Sequence, residues 1–405
     1  MKNIEVCLLD HTPFLKENGT FDREKALLHS ARIGGICYSE EGFEALLAED
    51  LEITEKRKRG TLKLEHHSIY DHVNIGMAIK GIPKILAMFL NNEHQYNTSE
   101  KSGRYTKIIG LDDSFVTPLT ADLYNKWQTI FEEEIKKEYG DVYNDSKIEK
   151  LAHENARYLV SVFVPTEMIY TVPLAQLNRI AAFIDNYVEE NKDSNEVFEK
   201  QIVPYMIEFK EKLAELNLLE PGLQTNRKNR HFSLLTNDQK REHFGATYVT
   251  NYRGSLAQLA QAQRHRTLSY QMHPLRDYGM NNSSFDQSFY VPPIIAGDDG
   301  LKNEWLNDMS KQLNVFPQGE MVRIIESGTL ENFLLKVKER MCVEVQLEIF
   351  QQIRETLAKY REALGQNDQF LLRKIDADGP RCTFDDYDCA RPCKLSKERI
   401  IKRKI

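Results

Sequence analysis

Arg264, His265 and Arg266 concentrate two guanidinium groups and an imidazole at the end of an apolar helical pattern, and Arg276 follows in a loop. Gln261 lies three residues before Arg264 and four before His265, a spacing that puts all three on one side of a helix. A planar amide beside a guanidinium suits a nucleotide, because the amide can read a base edge while arginine pairs bidentately with phosphate or a carbonyl. Basic side chains also gather at helix C-termini, where they meet the macrodipole, so the triplet alone leaves capping and surface solvation open. The earlier segment NNEHQYNTSEKSGRYT (91–106) aligns with it without a gap: Asn92, Glu93 and His94 fall on Arg264, His265 and Arg266, and Arg104 falls on Arg276. This first copy lacks the basic triplet but keeps Glu100, Ser102, Gly103 and Arg104, where Ser-Gly-Arg can turn tightly and offer hydroxyl, backbone N–H and guanidinium donors to phosphate. The second copy has Pro274 at the serine position, so the two copies are defective in complementary ways.

Two strand-to-helix units must position these groups. Val73, Ile75, Met77 and Ile79 alternate with polar or small residues over 69–80, the pattern of a half-buried strand, and a turn at Gly81 with Pro83 then opens the helical run KILAMFLNNEH. The order recurs at 244–266, where FGATYVTNY precedes GSLAQLAQAQRHR and Ser255 is placed to cap the helix. Longer helical patterns follow at 146–164, 174–190 and 330–360, the last with Phe333, Val337, Met341, Val345, Ile349, Ile353 and Leu357 near one face. The expected architecture is an α+β tandem duplication: a first domain over 1–212, a linker region over 213–240, a second domain over 241–372, and a cysteine-containing tail over 373–405. A length of 405 residues fits two domains of ordinary size. The formal net charge of -7 argues against general attraction to nucleic acid polymers or anionic lipid. No run approaches the roughly 20 apolar residues of a membrane span, and no secretory signal opens the chain, so a cytoplasmic protein without a membrane partner is expected.

Other clusters invite chemistry less strongly. Cys382, Cys389 and Cys393 could present soft thiolates to a structural zinc, although the spacing is not a strong zinc signature and free thiols are the alternative. His66, His67 and His72 with Glu65 and Asp71 suggest a metal, but a turn that satisfies backbone groups is favoured. The basic run at 56–59 follows acidic residues and is expected to be a solvated helix end. Cys342 falls on the packed side of its helical pattern and is expected to be unreactive.

RHRTLSYQMHPLRDY in the second half and EKSGRY in the first resemble separated pieces of the signature of the flavin-dependent thymidylate synthases, where Arg-His-Arg is followed after a short spacer by Ser and Gly-Arg-Tyr. HSARIGGICYS (29–39), HHSIYDH (66–72), ENARYLVSVFVP (154–165) and ERMCVEVQLEI (339–349) are similar to further segments of that family. The resemblance implies a fold duplicated from the family's domain, FAD as cofactor, NADPH and methylenetetrahydrofolate as cosubstrates, and C5 methylation of dUMP to dTMP. It implies that Gln261, Arg264 and Arg340 from one copy and Glu100, Ser102, Gly103 and Arg104 from the other bind the nucleotide, with Arg264 and Arg340 contributing to catalysis. Arg264, His265 and Arg266 would serve the flavin, where cationic and hydrogen-bonding groups stabilise negative charge on the reduced ring. Arg157 matches an arginine that the family uses near substrate, and its assignment, like that of Arg276, stays open. One composite site per chain is expected, with a homodimer approximating the family's tetramer. Methylation of another pyrimidine nucleotide such as UMP, and non-catalytic binding of FAD or nucleotide by a regulatory paralogue, are the alternatives.

Overall fold

The computed structural model describes residues 4–103, 116–225, 230–273, 288–365, 372–373 and 375–405, so Arg104, Pro274 and Arg276 lie outside the described residues. Contacts divide the chain into two units, each discontinuous in sequence: Met1–Lys101 with Pro165–Phe232, and Ser102–Val164 with Ser233–Ile405. Elements are numbered along the chain.

In the first unit β1 (Glu5–Leu8), β2 (Asn74–Pro83), β3 (Asn97–Glu100) and β4 (Pro165–Pro173) form an antiparallel sheet in the order β1-β2-β4-β3. The alternating sequence run becomes β2: Ile75, Met77 and Ile79 are buried and pair in register with Val172, Tyr170 and Met168 of β4. The strand continues to Pro83 instead of turning at Gly81. Gly81 has φ 70°, a left-handed conformation that favours glycine, and lies in an irregularity of the ladder between Lys80 and Ile82. Helices α1 (Arg23–Gly34), α2 (Phe43–Leu47), α3 (Leu51–Lys63), α4 (Lys84–Leu90), α7 (Leu174–Asn191) and α8 (Val197–Glu215) complete the unit. Asp22 and Asp50 cap α1 and α3 by accepting from Lys25 N and Glu52 N. The basic run at 56–59 lies inside α3, not at its end. There Arg57 bonds Glu49 at 2.8 Å and Lys58 bonds Glu55 at 2.9 Å, so two of its cations are already matched by acids.

The second unit repeats the sheet. Its strands β5 (His243–Phe244), β6 (Thr247–Ser255), β7 (Ser269–Met272) and β8 (Met321–Thr329) are antiparallel in the order β5-β6-β8-β7. Its helices are α5 (Pro118–Tyr139), α6 (Asp145–Ala156), α9 (Leu256–Ala262), α10 (Pro293–Ala296), α11 (Asp299–Ser310), α12 (Leu330–Arg340), α13 (Leu347–Leu364) and α14 (Lys397–Ile401). The core is built where α5 meets α11. Trp127 and Trp305, both fully buried, meet edge to face with ring centroids 4.9 Å apart, and Trp127 Nε1 donates to Asp308 at 3.0 Å.

The two sheets share one strand order, and the duplication extends to the helices. Helices α4 and α9 begin at Lys84 and Leu256, and strands β3 and β7 at Asn97 and Ser269, so one displacement of 172 positions (256 less 84, 269 less 97) relates both pairs. The ungapped alignment of the arginine triplet with Asn92, Glu93 and His94 uses that same displacement. The chain is thus an α+β tandem duplication.

Further sequence expectations differ from the structure. The segment 330–360 is not one helical stretch: α12 ends where Met341 leaves helical geometry at ψ 65°, and α13 starts at Leu347. The intervening stretch includes the β-branched Val343 and Val345, which disfavour continuation of the helix. The apolar face survives the break, since Phe333, Val337, Met341, Val345, Ile349, Ile353 and Leu357 are all buried. The contact units also cut across the sequential boundaries at 212 and 241. Residues 102–164 join the second unit because Leu123, Trp127, Phe131 and Ile135 of α5 bury a continuous apolar stripe there. The segment 373–405 packs into the same unit, with Ile400 and Arg403 buried. Among the described residues no group of three or more His, Cys, Asp and Glu is placed to hold a metal ion, so the zinc expectation at Cys382, Cys389 and Cys393 finds no formed site. Among the described residues no helix is long and apolar enough to cross a membrane.

Candidate functional site

Helix α9 presents the polar end of the second copy. Ser255 caps it, its Oγ accepting from Gln258 N at 3.0 Å. At the far end Arg264 N and His265 N donate back to Gln261 O and Ala262 O, closing the last turn. The Gln261 amide oxygen is buried and accepts no hydrogen bond, which leaves a desolvated acceptor at the helix end. The triplet then splits: Arg264 is half-buried, His265 is 4% exposed, and Arg266 is exposed.

His265 faces protein. Its Nδ1 lies 3.1 Å from Glu339 Oε2 and its Nε2 lies 3.3 Å from the Asn332 carbonyl; both partners are acceptors, so the neutral ring donates to one of them and ties the end of α9 to α12. Burial lowers its pKa, Glu339 opposes that, and Lys336 and Arg340 lower it further. A flavin-facing role would require the buried His265 ring to turn away from these partners. Behind it Lys336 and Glu326 form a buried ion pair at 2.6 Å, with Tyr248 also donating to Glu326 at 2.6 Å.

Arg340 ends α12 and is half-buried. Past the break, Gln346 is the hub of a buried network. Its Oε1 accepts from Arg157 Nη2 at 2.8 Å, and its Nε2 donates to Tyr158 OH at 2.8 Å and to Glu348 Oε2 at 2.6 Å. Glu348 also accepts from Tyr158 OH at 2.7 Å, Ser255 N at 3.1 Å and Ser255 Oγ at 2.7 Å. Burial raises its pKa while these donors pull the other way. One carboxylate therefore joins the cap of α9, the 3-10 turn Arg157–Leu159 and the start of α13. Arg157 is 6% exposed and its Nε, also buried, has no hydrogen-bond partner. Arg157 comes from the first half of the sequence and sits with Gln346 in the second unit.

Ser102 and Gly103 are half-buried at the start of that unit, while the arginine after them is outside the described residues. Glu100 lies on β3 in the other unit, where its carboxylate bonds Lys84 Nζ and accepts from Asn91 Nδ2 at 3.3 Å.

The first unit holds a cavity of about 740 Å³ lined by His66, His67, His94, Asp71, Gln176 and Arg179 among others. Arg179 reaches across to Gln176 Oε1 at 2.8 Å and Asp71 at 3.4 Å. Burial lowers the His67 pKa, Glu65 works against it, and Arg179 adds to it, which favours the neutral ring. His94, on this wall, occupies the position of Arg266 in the duplicated alignment. The His66-His67 run was visible in sequence, but its partners on α7 lie more than a hundred positions away.

Residues 20–185 match the family model Thy1, thymidylate synthase complementing protein. The match falls on the first copy and ends before the arginine triplet. The chain is 26% identical over 146 residues to a flavin-dependent thymidylate synthase of Pyrococcus furiosus, covering 35% of this chain and 57% of that protein. It is 26% identical over 186 residues to the flavin-dependent thymidylate synthase of Clostridium tetani, covering 42% and 69%. Among solved structures, the UMP/dUMP methylase PolB of Streptomyces cacaoi bound with 5-Br UMP aligns at TM-score 0.31 with 16% identity, over 55% of this chain and 93% of that one. Thymidylate Synthase X of Helicobacter pylori with FAD and dUMP aligns at TM-score 0.28 with 14% identity, over 55% and 100%. At these TM-scores neither alignment bears on the site. The sequence similarity is to flavin-dependent thymidylate synthases at low identity, and Arg264, His265, Arg266 and Arg340 stand outside the residues that match the family model.

Proposed function

We propose that the chain is a flavin-dependent enzyme that methylates C5 of dUMP, with methylenetetrahydrofolate as one-carbon donor and NADPH as reductant. The observation that carries this is a buried amide oxygen at Gln261 without a hydrogen-bond partner, at the end of the helix that Arg264 follows in sequence. A ligand group that reached such an atom would complete its hydrogen bonding, and the Arg157 Nε is another of the buried atoms among the described residues that lack a partner.

These groups divide the work by chemistry. Gln261 would accept from a base N–H, and Arg264 and Arg340 would neutralise phosphate in a setting where Lys336 already disfavours further positive charge on His265. Ser102 and Gly103 would add a hydroxyl and backbone donors for phosphate oxygens. His265, held by Glu339 and Asn332, fixes the angle at which the two arginines leave the helix end. FAD fits a donor set rich in arginine, with Arg264 and Arg266 to hold it, and when bound it supplies the redox and one-carbon chemistry that no side chain here can perform. The protein's share is orientation and charge neutralisation. A homodimer belongs to the proposal.

The test uses the full chain: flavin content per chain, flavin reoxidation by methylenetetrahydrofolate with dUMP or UMP, and mass detection of methylated product. Product from dUMP supports the proposal, and product from UMP alone moves the substrate. Flavin binding without product from either nucleotide overturns it in favour of a flavin- and nucleotide-binding regulator, the second reading, which the burial of His265 against Glu339 and Asn332 favours.

A further inference from the structure

The connection between α12 and α13 has Arg340 at its upstream end and Gln346 at its downstream end. It is not helical, and Met341, Val343 and Val345 within it are buried. Buried carbonyls in such a stretch need donors from outside it. Two of them find one side chain: Arg403 donates from Nη1 to Val343 O at 2.7 Å and from Nη2 to Val345 O at 2.9 Å. Arg403 is 5% exposed and lies over the Phe350 ring at 4.7 Å. Taking a guanidinium out of water is costly, so its fork is spent on fixing these two peptide groups.

The residues around Arg403 hold it in place. Arg399 grips Asp141 bidentately at 2.6 and 2.7 Å and donates to Glu138 O at 2.9 Å. Lys404 N donates to Tyr139 OH at 2.9 Å, and Ile405 joins the hydrophobic core of the unit. Ile405 also lines a small cavity together with Tyr158 and Gln346, so the segment reaches the network that holds Arg157. A shift of the backbone at Val345 is passed directly to Gln346, whose side chain is engaged at both ends by Arg157, Tyr158 and Glu348.

We propose that 397–405 is a clamp and that Arg403 is a positioning residue for Arg340 and for the Gln346–Arg157 pair, setting the geometry in which they meet a nucleotide phosphate. This rests on the nucleotide-binding function proposed above. An unbroken helix through 341–346 would satisfy its own carbonyls; the break brings Gln346 to Arg157, and Arg403 supplies the donors that the break removes.

Two variants of the full chain test it. Arg403→Lys keeps the charge but loses the fork, and Arg399→Gln cuts only the tie to Asp141. Amide hydrogen exchange is measured over 341–346 and over β8, and dUMP affinity by titration. In Arg403→Lys, exchange should rise at 341–346 and not in β8, and dUMP should bind more weakly by on the order of tenfold. Arg399→Gln should shift both in the same direction and less. Unchanged dUMP affinity in Arg403→Lys overturns the proposal, as does faster exchange throughout β8 in step with lost affinity, the pattern of general destabilisation. If the wild-type chain binds no dUMP, the proposed function falls, and the exchange comparison by itself decides whether the clamp exists.

Discussion

His265 shows how a residue that looks like a ligand-binding group can be turned inward. A buried ring beside Glu339 and the Asn332 carbonyl links α9 to α12 by the single N–H of its neutral form, the form that burial favours by lowering its pKa below the ordinary 6.5. The sign of the pH effect follows. With the folded value below the unfolded one, the contribution to stability is complete above pH 6.5 and is lost as pH falls through the folded value. His265→Gln should be less stable than wild type at pH 8 by about 1 kcal/mol and should lose stability less steeply on acidification. Denaturant melts at several pH values check this, and parallel slopes would remove the assignment. Glu348 gives the opposite case, a buried carboxylate that accepts from Ser255, Tyr158 and Gln346. Glu348→Gln removes the charge but aims an amide N–H at existing donors, so it should cost about 1–3 kcal/mol. A neutral result in urea unfolding would show that the network rearranges.

At the scale of elements, the strand-to-helix units were legible because their alternation is local: β2 and α9 stand close to where Ile75, Met77 and the apolar run before Gln261 place them. The turn expected at Gly81 is instead a bulge within β2, since pairing with β4 extends the strand beyond what a glycine signals on its own. Gly81→Ala should cost about 1–2 kcal/mol because φ is 70° there. An unchanged melting temperature would mean that the bulge relaxes. Helix α5 carries a clear stripe of Leu123, Trp127, Phe131 and Ile135, yet nothing local tells that its partner is Trp305. The site divides the same way. The residues of the triplet and Gln261 stand in sequence, whereas the joining of Arg157 to Gln346, the inward turn of His265 and the cavity walled by Arg179 depend on contacts between distant positions.

For the whole molecule, the two contact units are each made of two stretches of chain, so cutting the sequence between the halves does not separate them. A fragment covering 233–405 lacks α5 and α6 and leaves Trp305 and Met309 without the side chains that bury them. Expressed alone it should be poorly folded, with weak near-ultraviolet circular dichroism, and co-expression with 1–232 should restore a cooperative melt. A stably folded 233–405 fragment would show that the α5–α11 core is dispensable.

The bond from Trp127 to Asp308 spans 181 residues. On a ribosome adding about 5–20 residues per second, the aromatic face of α5 would emerge on the order of ten to forty seconds before its partner is made. During translation the part of that face that Trp305 and Met309 cover stays open, while α6, made soon after α5, supplies Ile148, Leu151 and Ala152 to the same core.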